Sequence, residues 1–171
     1  YFPNVIVKSE HSLFNVDALE YIRSKMLNEI KGKHTTKKFP KKIFVSRKNA
    51  GKGRRYNEQE VIKFLINNNF EIVYPEQYDL LEQVELFNNA SCIVGGTGAG
   101  FTNLLYCQKG CKVIIFTNYD FDISIFSSIA QHCELNCTYL YDKSITGEKK
   151  AGNIHSSYNV NILELNHLIR V

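Results

Sequence analysis

A short apolar run that breaks into four glycines within six residues lies in the middle of this chain. Residues 92–94 have the composition of a buried strand, and residues 101–106 form an apolar segment with helical character after the glycines. A strand, a glycine turn and a helix start together present free backbone N–H groups to an anion. Glycine also lets a ligand approach the backbone, because no Cβ is in the way. The segment therefore predicts a phosphate-bearing ligand, most simply a nucleotide.

Apolar runs alternate with helical patterns along most of the chain. The predicted strands are residues 43–45, 70–74, 92–94, 112–116 and 138–141. The predicted helices are residues 16–30, 57–66, 80–87 and 123–131, with a short strand near residues 160–162 and a last helix to residue 169. Because the strands are apolar throughout, we expect a parallel sheet covered on two faces. The predicted fold class is α/β, a Rossmann-like doubly wound parallel sheet.

Composition limits the classes of protein to which the chain can belong. Its 171 residues can bury one core, and 44% apolar and 22% charged residues are typical of a globular domain. The net charge of +4 is too small to predict a nucleic-acid partner, and no apolar run has the length of a membrane helix. We interpret the five cysteines as small buried side chains rather than zinc ligands, with one disulfide as the open alternative. Because the chain begins at Tyr1 rather than Met, we expect it to be part of a longer protein.

Ser46 and Arg47 come directly after the first strand of the predicted sheet, at the edge where doubly wound sheets bind ligands. An arginine there can hold a diphosphate through two hydrogen bonds and stays charged. Arg54 and Asn57 precede the next helix, whose positive N-terminal end adds to the attraction for an anion. Asn57 also has the spacing to Glu60 of a helix cap. Solvated surface charges remain the alternative for both arginines.

Two familiar nucleotide-binding fingerprints do not fit the glycine turn. Gly-x-Gly-x-x-Gly fails because Phe101 stands where the last glycine belongs, and a P-loop fails because no Gly-Lys-Ser/Thr follows. Asp120, about 20 residues on, has the position of a ribose-binding acid in dinucleotide enzymes. An NAD-dependent oxidoreductase is therefore an alternative. We interpret Asp120 and Asp122 as caps of the following helix and expect no bound metal ion.

The order of these motifs resembles that in the C-terminal half of glycosyltransferase family 61. The shared features are a strand that ends in Ser-Arg, an arginine shortly before an Asn-Glu helix start, and a glycine turn followed by Thr-Asn. The residues that carry them are Ser46, Arg47, Arg54, Asn57, Glu58, Glu82, Gln83, Gly98, Ala99, Gly100, Phe101, Thr102 and Asn103. The resemblance covers residues 18–116.

The resemblance implies a two-domain glycosyltransferase of the GT-B type, of which this chain is the donor-binding half. Residues 1–32 would be a connecting segment and helix from a missing N-terminal acceptor domain, and residues 33–171 a Rossmann-like nucleotide-sugar-binding domain. The implied reaction transfers a hexosyl or pentosyl group from a nucleotide-sugar to a glycan or glycoprotein acceptor, in surface or capsular polysaccharide synthesis. The implied donor and phosphate contacts are Arg47, Arg54, Asn57, Glu58, Gly96, Thr97, Gly98, Ala99, Gly100, Thr102 and Asn103.

One residue departs from the family pattern. The pattern has a histidine before Gly-Ala-Gly, and this chain has Thr97, whose hydroxyl can still donate to a phosphate. A catalytically inactive nucleotide- or partner-binding domain is therefore an alternative. No catalytic residue is assigned, and we expect no cofactor besides the nucleotide-sugar substrate. The expected partners are this donor and the acceptor, with membrane contact only through the missing part, in the cytoplasm of a bacterium or the secretory lumen of a eukaryote.

Overall fold

The structure is a computed structural model that describes residues 6–8, 11–32, 37–48, 55–118, 123–142 and 157–170. Within these ranges the strands are β1 (Ile6–Lys8), β2 (His11–Leu13), β3 (Lys42–Val45), β4 (Glu71–Val73), β5 (Cys92–Gly96), β6 (Lys112–Thr117) and β7 (Asn136–Tyr141). The helices are α1 (Val16–Lys31), α2 (Glu58–Ile66), α3 (Leu80–Asn89), α4 (Ser124–His132) and α5 (Ile162–Arg170), with the 3-10 helices η1 (Pro75–Gln77) and η2 (Ala99–Tyr106). None of the helices in these described ranges is long and apolar enough to cross a membrane.

Five parallel strands form the central sheet, in the order β4-β3-β5-β6-β7. Phe44 of β3, for example, lies opposite Ile72 of β4 on one side and Val94 of β5 on the other. The chain runs from β3 to β4 at one edge, returns past β3 to form β5, and continues to β6 and β7. The reversal between β3 and β5 is the topological switch point of a doubly wound sheet. The predicted α/β doubly wound fold is confirmed.

Helices cover both faces of this sheet, each over its own hydrophobic core. One core lies beneath α1, α3, η2 and α4 and includes Phe87 and Phe101, both fully buried. The other lies beneath α2 and α5 and includes Leu65 and Phe116, also fully buried. Burying each such side chain contributes about 1.5–3 kcal/mol. Because β5 runs between the two cores and is buried along its whole length, its sequence is apolar or glycine throughout.

The N-terminal segment packs onto the same domain. β1 and β2 pair as an antiparallel hairpin that was not predicted from the sequence, and α1 packs against α3 and η2. The Asn15 side chain caps α1, accepting a hydrogen bond from the Ala18 N–H at 2.9 Å. Arg23 on the same helix donates to the carbonyl oxygens of Leu105 and Cys107 at the end of η2. The domain boundary after residue 32 stays a prediction.

The region before α5 differs from the sequence prediction, which placed a strand near residues 160–162 and a side-chain cap at Asn57. No strand forms in the described residues 157–161, and α5 begins at Ile162. The Asn57 side chain makes no cap hydrogen bond. It instead accepts from the Val160 N–H (2.8 Å) and donates to the Val160 carbonyl oxygen (3.1 Å). The cap prediction was wrong because the Asn57 side chain bonds to the Val160 backbone instead of to its own helix. The strand prediction was wrong because the Val160 backbone pairs with this side chain and not with another strand.

A capping box fixes the start of α3. Asp79 accepts from the Glu82 N–H (2.8 Å), and the Glu82 carboxylate accepts from the Asp79 N–H (3.1 Å). Lys37 also pairs with the Glu82 carboxylate at 2.7 Å, and this hydrogen bond lowers the pKa of Glu82. The first turn of α3 is therefore held from two sides.

The five cysteines are free thiols in this structure, and four of them are buried. Burial raises the pKa of Cys92 and of Cys137 to about 11. These two thiols therefore stay protonated and weakly reactive at neutral pH. In the part of the chain that the structure describes, no three His, Cys, Asp or Glu side chains are grouped as metal ligands.

Candidate functional site

A cleft of about 640 Å³ opens at the carboxyl ends of β3 and β5. It is bounded by the loop after β3, by η1 with the start of α3, and by the glycine turn with η2. Its lining residues are Val45, Ser46, Arg47, Pro75, Glu76, Leu80, Gln83, Gly96, Gly98, Ala99, Gly100, Phe101, Thr102, Asn103 and Tyr106. Since doubly wound sheets bind ligands at this edge, at the switch point, the cleft is the candidate site.

At three glycines of this turn, Gly95, Gly96 and Gly98, an added Cβ would lie less than 3.0 Å from a neighbouring atom. A Cβ at Gly95 would lie 2.7 Å from the Val45 carbonyl oxygen, and a Cβ at Gly98 would collide with the Arg47 guanidinium. Gly98 has a φ of 176°, an extended conformation open to any residue. Glycine at this position therefore leaves space for the Arg47 side chain rather than supplying backbone freedom. β5 extends through Gly96, beyond its predicted end at residue 94, because these glycines let the strand continue against its neighbours.

Arg47 joins the loop after β3 to the glycine turn. Its Nη1 atom donates to the Thr97 carbonyl oxygen, and the side chain lines the cleft. The other guanidinium N–H groups donate to no acceptor in the described residues. A guanidinium with free N–H groups can bind two phosphate oxygens at once. The structure therefore places Arg47 where the sequence predicted a diphosphate contact.

Glu58 holds the loop that carries Arg47. Its Oε1 atom accepts hydrogen bonds from the Ser46 hydroxyl (2.7 Å), the Arg47 N–H (3.0 Å) and the Tyr56 hydroxyl (3.4 Å). Glu58 is not among the residues that line the cleft. It acts on the candidate site by positioning Arg47, rather than by touching a ligand there.

Removing the Glu58 carboxyl group is expected to loosen this loop. Glu58→Ala leaves three donors without their acceptor, and we expect the free energy of unfolding to fall by about 2 kcal/mol. Glu58→Gln keeps an acceptor oxygen at the same place, and we expect a fall below about 1 kcal/mol. Urea denaturation of both variants measures the difference. Equal losses would show that the charge, rather than the hydrogen-bond geometry, holds the loop.

Free backbone N–H groups lie at the cleft where η2 begins. The N–H groups of Gly98, Ala99 and Gly100 donate to no acceptor in the described ranges, and all three residues line the cleft. The first N–H groups of a helix carry partial positive charge and bind anions. The Thr102 hydroxyl donates to the Ala99 carbonyl oxygen at 2.8 Å, which further fixes this turn. With Arg47, these groups form a surface suited to an anion.

Asn103 and Gln83 line the cleft on the side of α3. Asn103 Nδ2 donates to Gln83 Oε1 at 2.8 Å, and Gln83 Nε2 donates to the Tyr78 carbonyl oxygen at 3.1 Å. The sequence motif included Gln83 but gave no reason to assign it to the site. A single glutamine on a helix carries no such signal, because only the fold brings it to Asn103.

An aromatic pair supports the glycine turn from behind. Tyr56 and Tyr158 stack with ring centroids 5.3 Å apart, and a Cβ at Gly96 would lie 2.8 Å from the Tyr158 hydroxyl. That hydroxyl donates to the Phe116 carbonyl oxygen at 3.3 Å. Burial raises the pKa of Tyr56 well above its usual value, so its hydroxyl stays protonated and donates to Glu58. Neither tyrosine was predicted, since Tyr158 reaches the turn only through the fold.

Thr97 does not line the cleft. Its side chain is fully buried, and its N–H donates to the Phe116 carbonyl oxygen at 2.9 Å. Its hydroxyl has no hydrogen-bond partner in the described part of the chain. The structure therefore gives no support to a contact between this hydroxyl and a phosphate. The Thr97 carbonyl oxygen serves the site instead, because it accepts the hydrogen bond from Arg47.

Thr97→Val is expected to raise the free energy of unfolding by about 1 kcal/mol. A buried hydroxyl without a partner is costly, and valine has nearly the same shape. Binding of a nucleotide should not change, because the side chain does not line the cleft. Thr97→Ser is the matched control, since it keeps the hydroxyl and leaves a small void that lowers stability. Urea denaturation measures both, and a stability loss with valine would show that the hydroxyl has a partner.

The structure sorts the predicted donor contacts into three groups. Those that line the cleft are Arg47, Gly96, Gly98, Ala99, Gly100, Thr102 and Asn103. Those placed away from its surface are Asn57, Glu58 and Thr97. Arg54, and the predicted helix caps Asp120 and Asp122, lie outside the described residues.

The family model for Glycosyltransferase 61 matches residues 1–114 of the 171 in the chain. The match runs from β1 into β6, and it includes the loop after β3, the start of α3 and the glycine turn that bound the cleft. No curated protein matches the chain.

Proposed function

The chain belongs to glycosyltransferase family 61, and we propose that it binds a nucleotide-sugar in the cleft for transfer of the sugar to a glycan acceptor. The family supports a glycosyltransferase activity. The identities of the donor and the acceptor are our proposal. This proposal rests on one observation. Arg47 and the free N–H groups of Gly98, Ala99 and Gly100 lie at the same cleft, at the switch point of the sheet. Both kinds of donor suit the diphosphate that joins a sugar to a nucleoside.

The proposed role of this site is to stabilise the leaving group. An acceptor hydroxyl oxygen bonds to the anomeric carbon of the sugar, while the bond between that carbon and the diphosphate oxygen breaks. The diphosphate keeps the electron pair of the broken bond and gains negative charge. Arg47 and the N–H groups at the start of η2 would stabilise this charge through donors that are already in place. The acceptor proton passes to a general base, for which we propose no residue of this chain.

The finer features of the proposal rest on the family resemblance. We propose transfer of a hexosyl or pentosyl group in surface or capsular polysaccharide synthesis, in the cytoplasm of a bacterium or the secretory lumen of a eukaryote. We also propose that no metal or cofactor is needed. Asp120 and Asp122 have the Asp-x-Asp spacing of metal-dependent glycosyltransferases, so this point needs its own test. Transfer that is unchanged by EDTA supports it, and a loss that Mn²⁺ restores contradicts it.

An inactive nucleotide-binding domain is the second candidate function. Thr97 stands where the family pattern has histidine, and its buried side chain presents no titratable group to the cleft. Thr97→His in the full-length protein separates the two candidates. A gain in sugar transfer would support an inactive domain that has lost its histidine. Measurable sugar transfer by the wild type, with no gain in rate in Thr97→His, would support the active enzyme.

Calorimetric titration of the purified protein with UDP, GDP, CMP and NAD tests the proposed function. Saturable binding of one of the first three supports a nucleotide-sugar site and identifies the donor class. Binding of NAD alone would overturn the proposal in favour of an oxidoreductase, and this binding should then depend on Asp120. If none of these nucleotides binds at millimolar concentration, either to this chain or to the full-length protein, the proposal of a donor site is overturned.

A further inference from the structure

Gln83 connects α3 to η2 at the edge of the cleft through two hydrogen bonds. Its Nε2 donates to the Tyr78 carbonyl oxygen at 3.1 Å, and its Oε1 accepts from Asn103 Nδ2 at 2.8 Å. Both side chains line the cleft. Asn103 is 8% exposed, so the small surface that it retains belongs to the cleft.

The chemistry of these three groups fixes which way each amide points. A backbone carbonyl can only accept, so Gln83 must turn its NH₂ group toward Tyr78. Its oxygen then points toward Asn103, which must present its own NH₂ group. The hydrogen-bond network therefore fixes the orientation of both amide groups. Asn103 Oδ1 is the atom left over, and it accepts no hydrogen bond from the residues that the structure describes.

Further contacts surround the Tyr78 end of this network. Lys37 lies over the Tyr78 ring, 4.8 Å from its centroid, while its ammonium group pairs with Glu82. The capping box of Glu82 fixes the turn of α3 from which Gln83 projects. The backbone therefore sets the orientation of Asn103 before any ligand arrives. An acceptor oriented in advance loses little side-chain entropy when it binds a ligand.

We propose that Gln83 is a positioning residue, which holds Asn103 Oδ1 as the hydrogen-bond acceptor for a hydroxyl group of the nucleotide-sugar. The inference rests on the proposed function and deepens it. An amide oxygen repels phosphate oxygens and accepts from hydroxyl groups. Asn103 therefore recognises a ring hydroxyl, of the ribose or of the transferred sugar, rather than the diphosphate.

The spacing along η2 agrees with this assignment. Asn103 lies four residues beyond Ala99, which is about 8 Å along the axis at a 3-10 rise of about 2.0 Å per residue. A diphosphate bound at the start of η2 therefore leaves room for one attached sugar ring to reach Asn103.

Calorimetric titration with three probes tests the inference: inorganic pyrophosphate, UDP and UDP-glucose, with GDP and GDP-mannose as the matching pair for a guanine donor. We expect Gln83→Ala to leave the affinity for pyrophosphate within about twofold. If the ribose supplies the hydroxyl, the affinity for UDP or GDP falls about tenfold. If the transferred sugar supplies it, the loss is confined to the nucleotide-sugar. Equal losses for all probes, or no loss for any, would overturn the inference.

A double-mutant cycle separates positioning from a general structural role. Because Gln83 acts through Asn103, adding Gln83→Ala to Asn103→Ala is expected to cause no further loss of nucleotide affinity. A further loss as large as that of Gln83→Ala alone would overturn the inference. Gln83→Met keeps the length of the side chain and replaces Gln83→Ala if the shorter side chain unfolds the domain. Gln131→Ala, at an exposed glutamine on α4, is the matched control.

The failure of this inference and of the proposed function can be told apart. A wild-type protein that binds neither pyrophosphate nor any of the nucleotides contradicts the proposed function, and the inference with it, before any variant is compared. A wild-type protein that binds UDP or GDP, with variants at Gln83 that bind every nucleotide equally well, contradicts the inference alone.

Discussion

Arg47→Ala is expected to weaken the binding of a nucleoside diphosphate by about a hundredfold. The substitution removes the guanidinium that lines the cleft, together with its hydrogen bond to the Thr97 carbonyl oxygen. The donors that remain at the start of η2 are neutral N–H groups, which bind a phosphate less strongly than a charged group does. Titration calorimetry with UDP or GDP measures the loss.

Two further variants show whether the loss comes from the geometry of the guanidinium. Arg47→Lys keeps the positive charge but cannot hold two phosphate oxygens in a fixed plane, so we expect an intermediate loss of about tenfold. Arg170→Ala removes the same charge from an exposed position in the last turn of α5, and we expect no change in affinity. An equal loss in Arg170→Ala would show that net charge matters and that the cleft does not.

Gly95→Ala is expected to lower the free energy of unfolding by about 3 kcal/mol. The added Cβ would lie 2.7 Å from the Val45 carbonyl oxygen, which belongs to the neighbouring strand β3. A backbone oxygen inside a parallel sheet cannot move aside as a flexible side chain can. The two strands must therefore separate locally, at the place where the cleft is built. Urea denaturation measures the change in stability, and a fall in nucleotide affinity should accompany it.

Gly32→Ala is the matched control for this substitution. A Cβ at Gly32 would meet its nearest neighbour, the Glu29 carbonyl oxygen, at 3.8 Å, and Gly32 has a φ of −80° that alanine adopts readily. We expect no loss of stability, and a gain of about 0.4–1 kcal/mol from the less flexible unfolded chain. If Gly95→Ala proved as harmless as Gly32→Ala, the close approach of β5 to β3 would be contradicted.

Much of the sheet could be predicted because a buried parallel strand leaves a local mark in the sequence. Residues 43–45 and 113–116 are continuous apolar runs, and β3 and β6 form there. The glycine turn leaves a similar mark, since a Cβ at Gly95 would lie too close to the backbone of β3. Arg47 could be assigned to the cleft because the end of a buried strand in a doubly wound sheet is also the edge that binds ligands.

The features that could not be predicted depend on residues that are distant in sequence. Tyr158 lies behind the glycine turn, and Val160 pairs with Asn57, yet no local pattern links these parts of the chain. Thr97 follows β5 directly, and its N–H pairs with Phe116 of β6. That pairing decides whether its side chain points into the interior or into the cleft, and the sequence of the turn alone does not contain it.

The two ends of η2 are compensated unequally. The peptide dipoles of a helix add up to a macrodipole, with its negative pole at the carbonyl end and its positive pole at the N–H end. Arg23 neutralises the negative pole by donating to Leu105 and Cys107, whereas Gly98 and Ala99 leave the positive pole open at the cleft. An anion bound there would compensate the second pole. Anion binding and the docking of α1, which carries Arg23, therefore favour the same arrangement of η2.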